Sequence, residues 1–183
     1  MIQTLTIGNI RVAMCPLATD VPHTEARRQA ADTLVAAIAD GNRLHHRPDG
    51  APYLDNSTLH VTVTHTRRLA AVAVAPHPVG IDIEDERPRL AEVAARITTS
   101  ADVALPTALH TWTAKEAAFK CAAALPQPPT VISAVTVTAD NTATCCGMAM
   151  SLYFRPLGSS TLLCLAFPQN LHALIFGSDN IFS

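Results

Sequence analysis

Apolar positions along the chain change their period several times, and each change marks an element. Over residues 2–14 they alternate loosely through Leu5, Ile7, Ile10 and Val12. That pattern predicts an extended strand, and its phase slips at Gly8-Asn9, where a turn or bulge is expected. Between Pro22 and Ala39 the apolar residues Ala30, Ala31, Leu34, Val35 and Ile38 fall at helical spacing. Pro22 suits the first turn and Gly41-Asn42 the stop. Residues 42–56 carry Pro48, Asp49, Gly50 and Pro52 and read as a loop. Leu59 to His65 alternates strictly, with Leu59, Val61 and Val63 on one face and His60, Thr62 and Thr64 on the other. Leu69 to Ala75 and Val79 to Glu84 read as two further strands. Pro88 to Arg96 looks helical, and the polar run 98–102 offers a cap. Pro106 to Leu125 is the strongest helical stretch, with a proline near its start and Pro126 past its end. From there the pattern predicts strands over 131–138, 148–154, 161–167 and 173–176.

This order of elements predicts an α+β fold of two halves, 1–78 and 79–183, each a helix packed on a small antiparallel β-meander. Residues 68–76 and 161–168 resemble each other, both apolar strands ending in proline. That echo suggests two pseudo-symmetric halves in one compact unit. Nothing between them reads as a flexible linker, and two halves in one chain make a monomer sufficient.

Composition narrows the function. The chain has 183 residues, 49% of them hydrophobic, which is enough for a real core. A net charge of -2 argues against general nucleic-acid binding. The longest apolar run, Leu69 to Ala75, is far shorter than the roughly 20 residues that span a bilayer. The N-terminus lacks the basic start and apolar core of a signal peptide, so no membrane partner and a cytoplasmic location are expected. The five cysteines are odd in number and form no CxxC, which favours free thiols over a disulfide framework or zinc ribbon. No glycine belongs to a G-x-G, P-loop or G-x-S-x-G pattern.

Two segments break the local rules. In Val79-Gly80-Ile81-Asp82-Ile83-Glu84 the period of a strand puts Asp82 and Glu84 on one face. Paired hard oxygens there suit Mg²⁺, and a solvated strand face is the plainer alternative. In Trp112 to Lys120 a helix gathers Trp112, Lys115, Glu116, Phe119 and Lys120 on one side. Charges inside an apolar stripe suggest a half-buried polar site, and an exposed Glu116–Lys120 pair is the alternative. His65 ends its strand just before Arg67-Arg68 and is a third candidate.

Together these segments resemble the signature of the 4′-phosphopantetheinyl transferases, in their larger, monomeric type. Gly80-Ile81-Asp82-Ile83-Glu84 is similar to that family's G-I-D-x-E strand, and Trp112 to Lys120 to its W-[TS]-x-K-E-A-x-x-K helix. Upstream, Gly50-Ala51-Pro52-Tyr53-Leu54 resembles G-[KR]-P-Y-L, and Val61 to Thr66 resembles a strand ending in S-H-[ST]. The four segments stand in the family's order over residues 50–120.

The resemblance implies transfer of phosphopantetheine from coenzyme A to a serine of an apo acyl or peptidyl carrier protein, with release of adenosine 3′,5′-bisphosphate. It implies Asp82, Glu84 and Glu116 as ligands of Mg²⁺ or Mn²⁺, and Glu116 and Lys120 as the catalytic pair. It implies Thr64, His65, Arg28, Lys115 and Lys120 as contacts to coenzyme A. The chain departs from the pattern at Ala51, where the family carries a cation that Arg43 or Arg47 could replace, and at Thr64, where it carries serine. Its first helix matches only partly, through Arg27-Arg28, and Arg96 to Thr99 stands where the family has an acidic residue. A homologue that binds a carrier protein or nucleotide without turnover is the alternative reading.

Overall fold

The computed structural model describes residues 1–176. The first strand expected from the sequence is a hairpin of β1 (Gln3–Ile7) and β2 (Ile10–Pro16), antiparallel about Gly8-Asn9. Gly8 sits at φ +58°, the left-handed region that glycine enters without a Cβ penalty. Helix α1 (His23–Ile38) follows, buried through the predicted apolar stripe. The stretch expected as a loop holds a short hairpin, β3 (Leu44–His46) with β4 (Pro52–Leu54). Three residues per strand are too few to show a period of two, so only the turn residues between them were visible in the sequence.

Next come β5 (His60–His65), β6 (Leu69–Ala75) and β7 (Gly80–Asp85), then α2 (Leu90–Ile97) and α3 (Ala108–Ala122). The run 98–102 caps neither helix start; Thr107 caps α3, its hydroxyl accepting the His110 amide. The chain continues with β8 (Thr136–Ala139), β9 (Thr142–Cys145), β10 (Met148–Pro156) and β11 (Thr161–Pro168). A 3₁₀ turn over Ile132–Ala134 replaces the start of the strand expected at 131–138. Residues 173–176, expected as a strand, belong to a short helix, α4 (His172–Phe176). Four apolar residues are too few to separate one helical turn from a short strand by their period.

The strands form two antiparallel sheets, β1-β2-β6-β5 and β7-β11-β10-β9-β8. The fold is therefore mixed α+β. Each sheet carries a helix on its outer face, and the two inner faces pack on each other. Period two sorts the side chains. From β6, Ala71 and Ala73 enter the core between the sheets, whereas Ala70, Val72 and Val74 pack under α1. From β11, Leu163, Leu165 and Phe167 enter the same inner core, whereas Cys164 and Ala166 pack under α3. The strands that echo each other in sequence, β6 and β11, are thus inner strands buried on both faces, which explains their continuous apolar runs. The two sheets differ in strand number and order. Among the described residues no helix is long and apolar enough to cross a membrane.

The site depends on how closely α3 approaches β7. A Cβ built on Gly80 would lie 1.9 Å from the Ala117 carbonyl oxygen and 2.6 Å from the Cys121 nitrogen. Both are backbone atoms that cannot rotate away, so helix and strand touch there only because residue 80 has no side chain. Gly80→Ala is expected to cost about 3 kcal/mol or more, through overpacking that forces the helix off the sheet. Urea denaturation measures this, and a loss below about 1 kcal/mol would contradict the close contact.

Candidate active site

Strand β7 is an edge strand of its sheet, and β5 is an edge strand of the other. The two lie side by side, so the seam between the sheets runs along them. Ile81 and Ile83 point into the core between the sheets, which turns Gly80, Asp82 and Glu84 toward α3. Asp82 is buried. Its Oδ1 accepts hydrogen bonds from the Thr64 hydroxyl of β5 at 2.9 Å and from Lys120 Nζ of α3 at 2.7 Å. Lys120 Nζ also donates to the Ile81 carbonyl at 3.2 Å. Asp82 Oδ2 is buried too and has no hydrogen-bond partner among the described residues.

Two glutamates flank this pair. Burial pushes the Glu116 carboxyl above the ordinary carboxylate range; Lys120 opposes the shift, and the charges of Asp82 and Glu84 add to it. Asp82 is raised for the same first reason, burial, against the pull of Lys120 and Thr64. Glu84 accepts the Asp85 amide at 3.0 Å, and its other oxygen faces Arg87 at 3.5 Å. Among the described residues no three His, Cys, Asp or Glu side chains are already drawn together around a common cation position. Glu116 nevertheless feels the charges of Asp82 and Glu84, and the buried Asp82 Oδ2 lacks a partner among the described residues.

Two cavities open along β5. A cleft of about 290 Å³ is lined by Arg27, Arg28, His46, Thr64 and His65. Arg27 Nη1 lies 2.7 Å from His65 Nε2, so the guanidinium donates to a neutral imidazole. Burial lowers the His65 pKa, and the Arg27 charge lowers it further. The sequence pointed to Arg28; both arginines line the cleft, and Arg27 holds the histidine. A groove of about 890 Å³ runs between the β3–β4 hairpin and the C-terminal end of α3, with Phe119 and Lys120 on one wall. Arg47 lines its other wall, 5.8 Å over the Tyr53 ring, and its amide donates to the Ala51 carbonyl. Of the two cations weighed as replacements at Ala51, Arg47 is the one that reaches this groove.

Lys115 is not placed with the other candidates. Its side chain is fully buried, and Nζ donates to Asp102 Oδ2 at 2.8 Å and to the Val135 carbonyl at 2.7 Å. The reason lies in the helical period: Lys115 shares its stripe with Ala118 and Ala122, both fully buried, and their small side chains leave room for its stem. Its charge is spent inside the fold, so the expected contact to coenzyme A is corrected to a structural tie. Asp102 completes the tie by accepting the Thr99 and Val137 amides at 2.6 and 2.8 Å. Its sequence marked it only as the end of the polar run 98–102, expected to cap a helix. Trp112 and Phe119 also part company: Trp112 packs beside Leu90 and Leu109, and Phe119 beside the core under α3. No protein-family model matches the chain, and no curated protein matches it.

Removing one partner of a buried ion pair strands the other, so Lys115→Met is expected to destabilise by about 3–5 kcal/mol. Burial raises the Asp102 pKa, but the bonds from Lys115, Thr99 and Val137 outweigh it and lower the carboxyl on balance. A lowered carboxyl contributes stability that is present above its unfolded pKa of about 3.9 and is lost as pH falls through the folded value. The stability difference between the wild type and Asp102→Asn should therefore hold steady at neutral pH and shrink in acid below about pH 4. Chemical denaturation across pH measures it, and a difference that grows on acidification would contradict the assignment.

Proposed function

We propose that the chain is a divalent-cation-dependent 4′-phosphopantetheinyl transferase, which moves phosphopantetheine from coenzyme A to a serine of an apo acyl or peptidyl carrier protein. The observation that carries this reading is Asp82 Oδ2, a buried carboxylate oxygen without a partner, set among Lys120, Glu84 and Glu116. Such an atom is costly, and it points to a group the site is built to receive. Carboxylate oxygens are hard donors and suit Mg²⁺ or Mn²⁺. Asp82, Glu84 and Glu116 would hold the ion, because the long contact between Glu84 and Arg87 is weak enough to exchange. When bound, the ion supplies neutralisation of the pyrophosphate charge of coenzyme A.

The chain's own residues supply the rest. Glu116, raised toward neutrality by burial, is suited to accept the serine proton as the serine Oγ–P bond forms and the pyrophosphate P–O bond breaks. Lys120 spends two of its N–H groups on Asp82 and Ile81 and keeps a third. It also lines the large groove, so that third proton is available to the departing bisphosphate oxygen without release of Asp82. Arg27 and Arg28 carry no carboxylate partner within salt-bridge distance among the described residues and offer their charge to further phosphate oxygens with His65. Arg47 offers the same in the groove.

Intact-mass spectrometry tests the reaction. An apo acyl carrier protein incubated with the chain, coenzyme A and Mg²⁺ is expected to gain one phosphopantetheine, and chelator is expected to prevent it. Glu116→Gln should lower the rate at least about 100-fold with the fold intact. No mass gain across several carriers, with coenzyme A still bound, would replace this reading with that of a binding-only homologue.

A further inference from the structure

We infer that Thr64 is a positioning residue, which from the opposite sheet fixes Asp82 so that Oδ2 alone faces the cation; this rests on the metal-site reading above. A threonine hydroxyl has one proton and two lone pairs. The proton goes to Asp82 Oδ1 at 2.9 Å, and the Ile83 amide donates to the same hydroxyl at 3.2 Å. No proton is left to donate to a phosphate. Thr64 is buried, so water does not compete for either bond.

The effect on Asp82 is directional. Oδ1 accepts from Thr64 on one side and Lys120 on the other, which occupies its accepting capacity and sets the plane of the carboxylate. Oδ2 is what remains. The two donors come from different elements, β5 and α3, so the carboxylate is triangulated between the halves. A group that orients a metal ligand through a hydrogen bond typically changes metal affinity by about 10–100-fold when removed. This gives Thr64 a different job from His65, its neighbour on the strand, whose imidazole faces Arg27 in the smaller cleft.

Mn²⁺ titration followed by the electron paramagnetic resonance of the free ion tests this without turnover. The wild type is expected to bind Mn²⁺, and Thr64→Val, nearly equal in shape, is expected to bind roughly 10–100-fold more weakly. Thr64→Ser keeps the hydroxyl and is expected to restore affinity; thermal melts confirm that both variants fold. Equal affinity in Thr64→Val, or a serine variant as weak as the valine one, would overturn the positioning role and leave the metal site standing. A loss in Thr64→Val that falls on metal-free binding of adenosine 3′,5′-bisphosphate would assign the hydroxyl to phosphate instead. No Mn²⁺ binding by the wild type would overturn the metal-site reading and this inference with it.

Discussion

A carboxylate buried at a seam between two sheets sets the terms for this fold. Asp82 can be buried because β7 is an edge strand with its neighbour sheet on one side and α3 on the other. Remove either neighbour and the charge returns to water or loses its donors. The glycine two residues earlier lets α3 sit close enough for Lys120 to reach the strand, and β5 brings Thr64 from the other sheet. Packing, topology and electrostatics converge on one side chain.

The same helix holds two lysine–carboxylate pairs with opposite character. Lys115 and Asp102 form a closed network, with both groups buried and the carboxylate also holding backbone amides. Lys120 and Asp82 form an open one, with a spare lysine proton and a spare carboxylate oxygen. A saturated pair fixes geometry; an unsaturated pair keeps free energy available for a ligand. The first ties the α2–α3 connection and β8 to the helix, and so holds the second in place.

Much of this was legible in the sequence where periodicity was long. Helices α1 and α3 and strands β5, β6 and β11 announced themselves by repeated apolar spacing, and Asp82 and Glu84 were placed on one face by the strand period alone. The hairpin β3–β4 and strand β9 were too short to show a period. Lys115 misled because the wheel of an isolated helix gives angles but not neighbours: adjacent to Glu116 in sequence, it points under the helix, and only the position of Asp102 decides that. The hydrogen bond from Thr64 to Asp82 was equally hidden, since the two lie across a sheet boundary that no local pattern marks.

The basic residues carry one more consequence. Of the 13 Lys and Arg residues in the chain, only Lys115 and Lys120 are lysines, and both lie on α3. Guanidinium groups hold their protons at any pH a protein survives, so of the lysine and arginine side chains only lysine can give one up. Lys115 is sealed at 0% exposure, whereas the Lys120 side chain keeps 26%. Amine-directed chemistry, whether a labelling reagent or an acyl donor, therefore meets a single side chain in the described protein, and that side chain lines the candidate site.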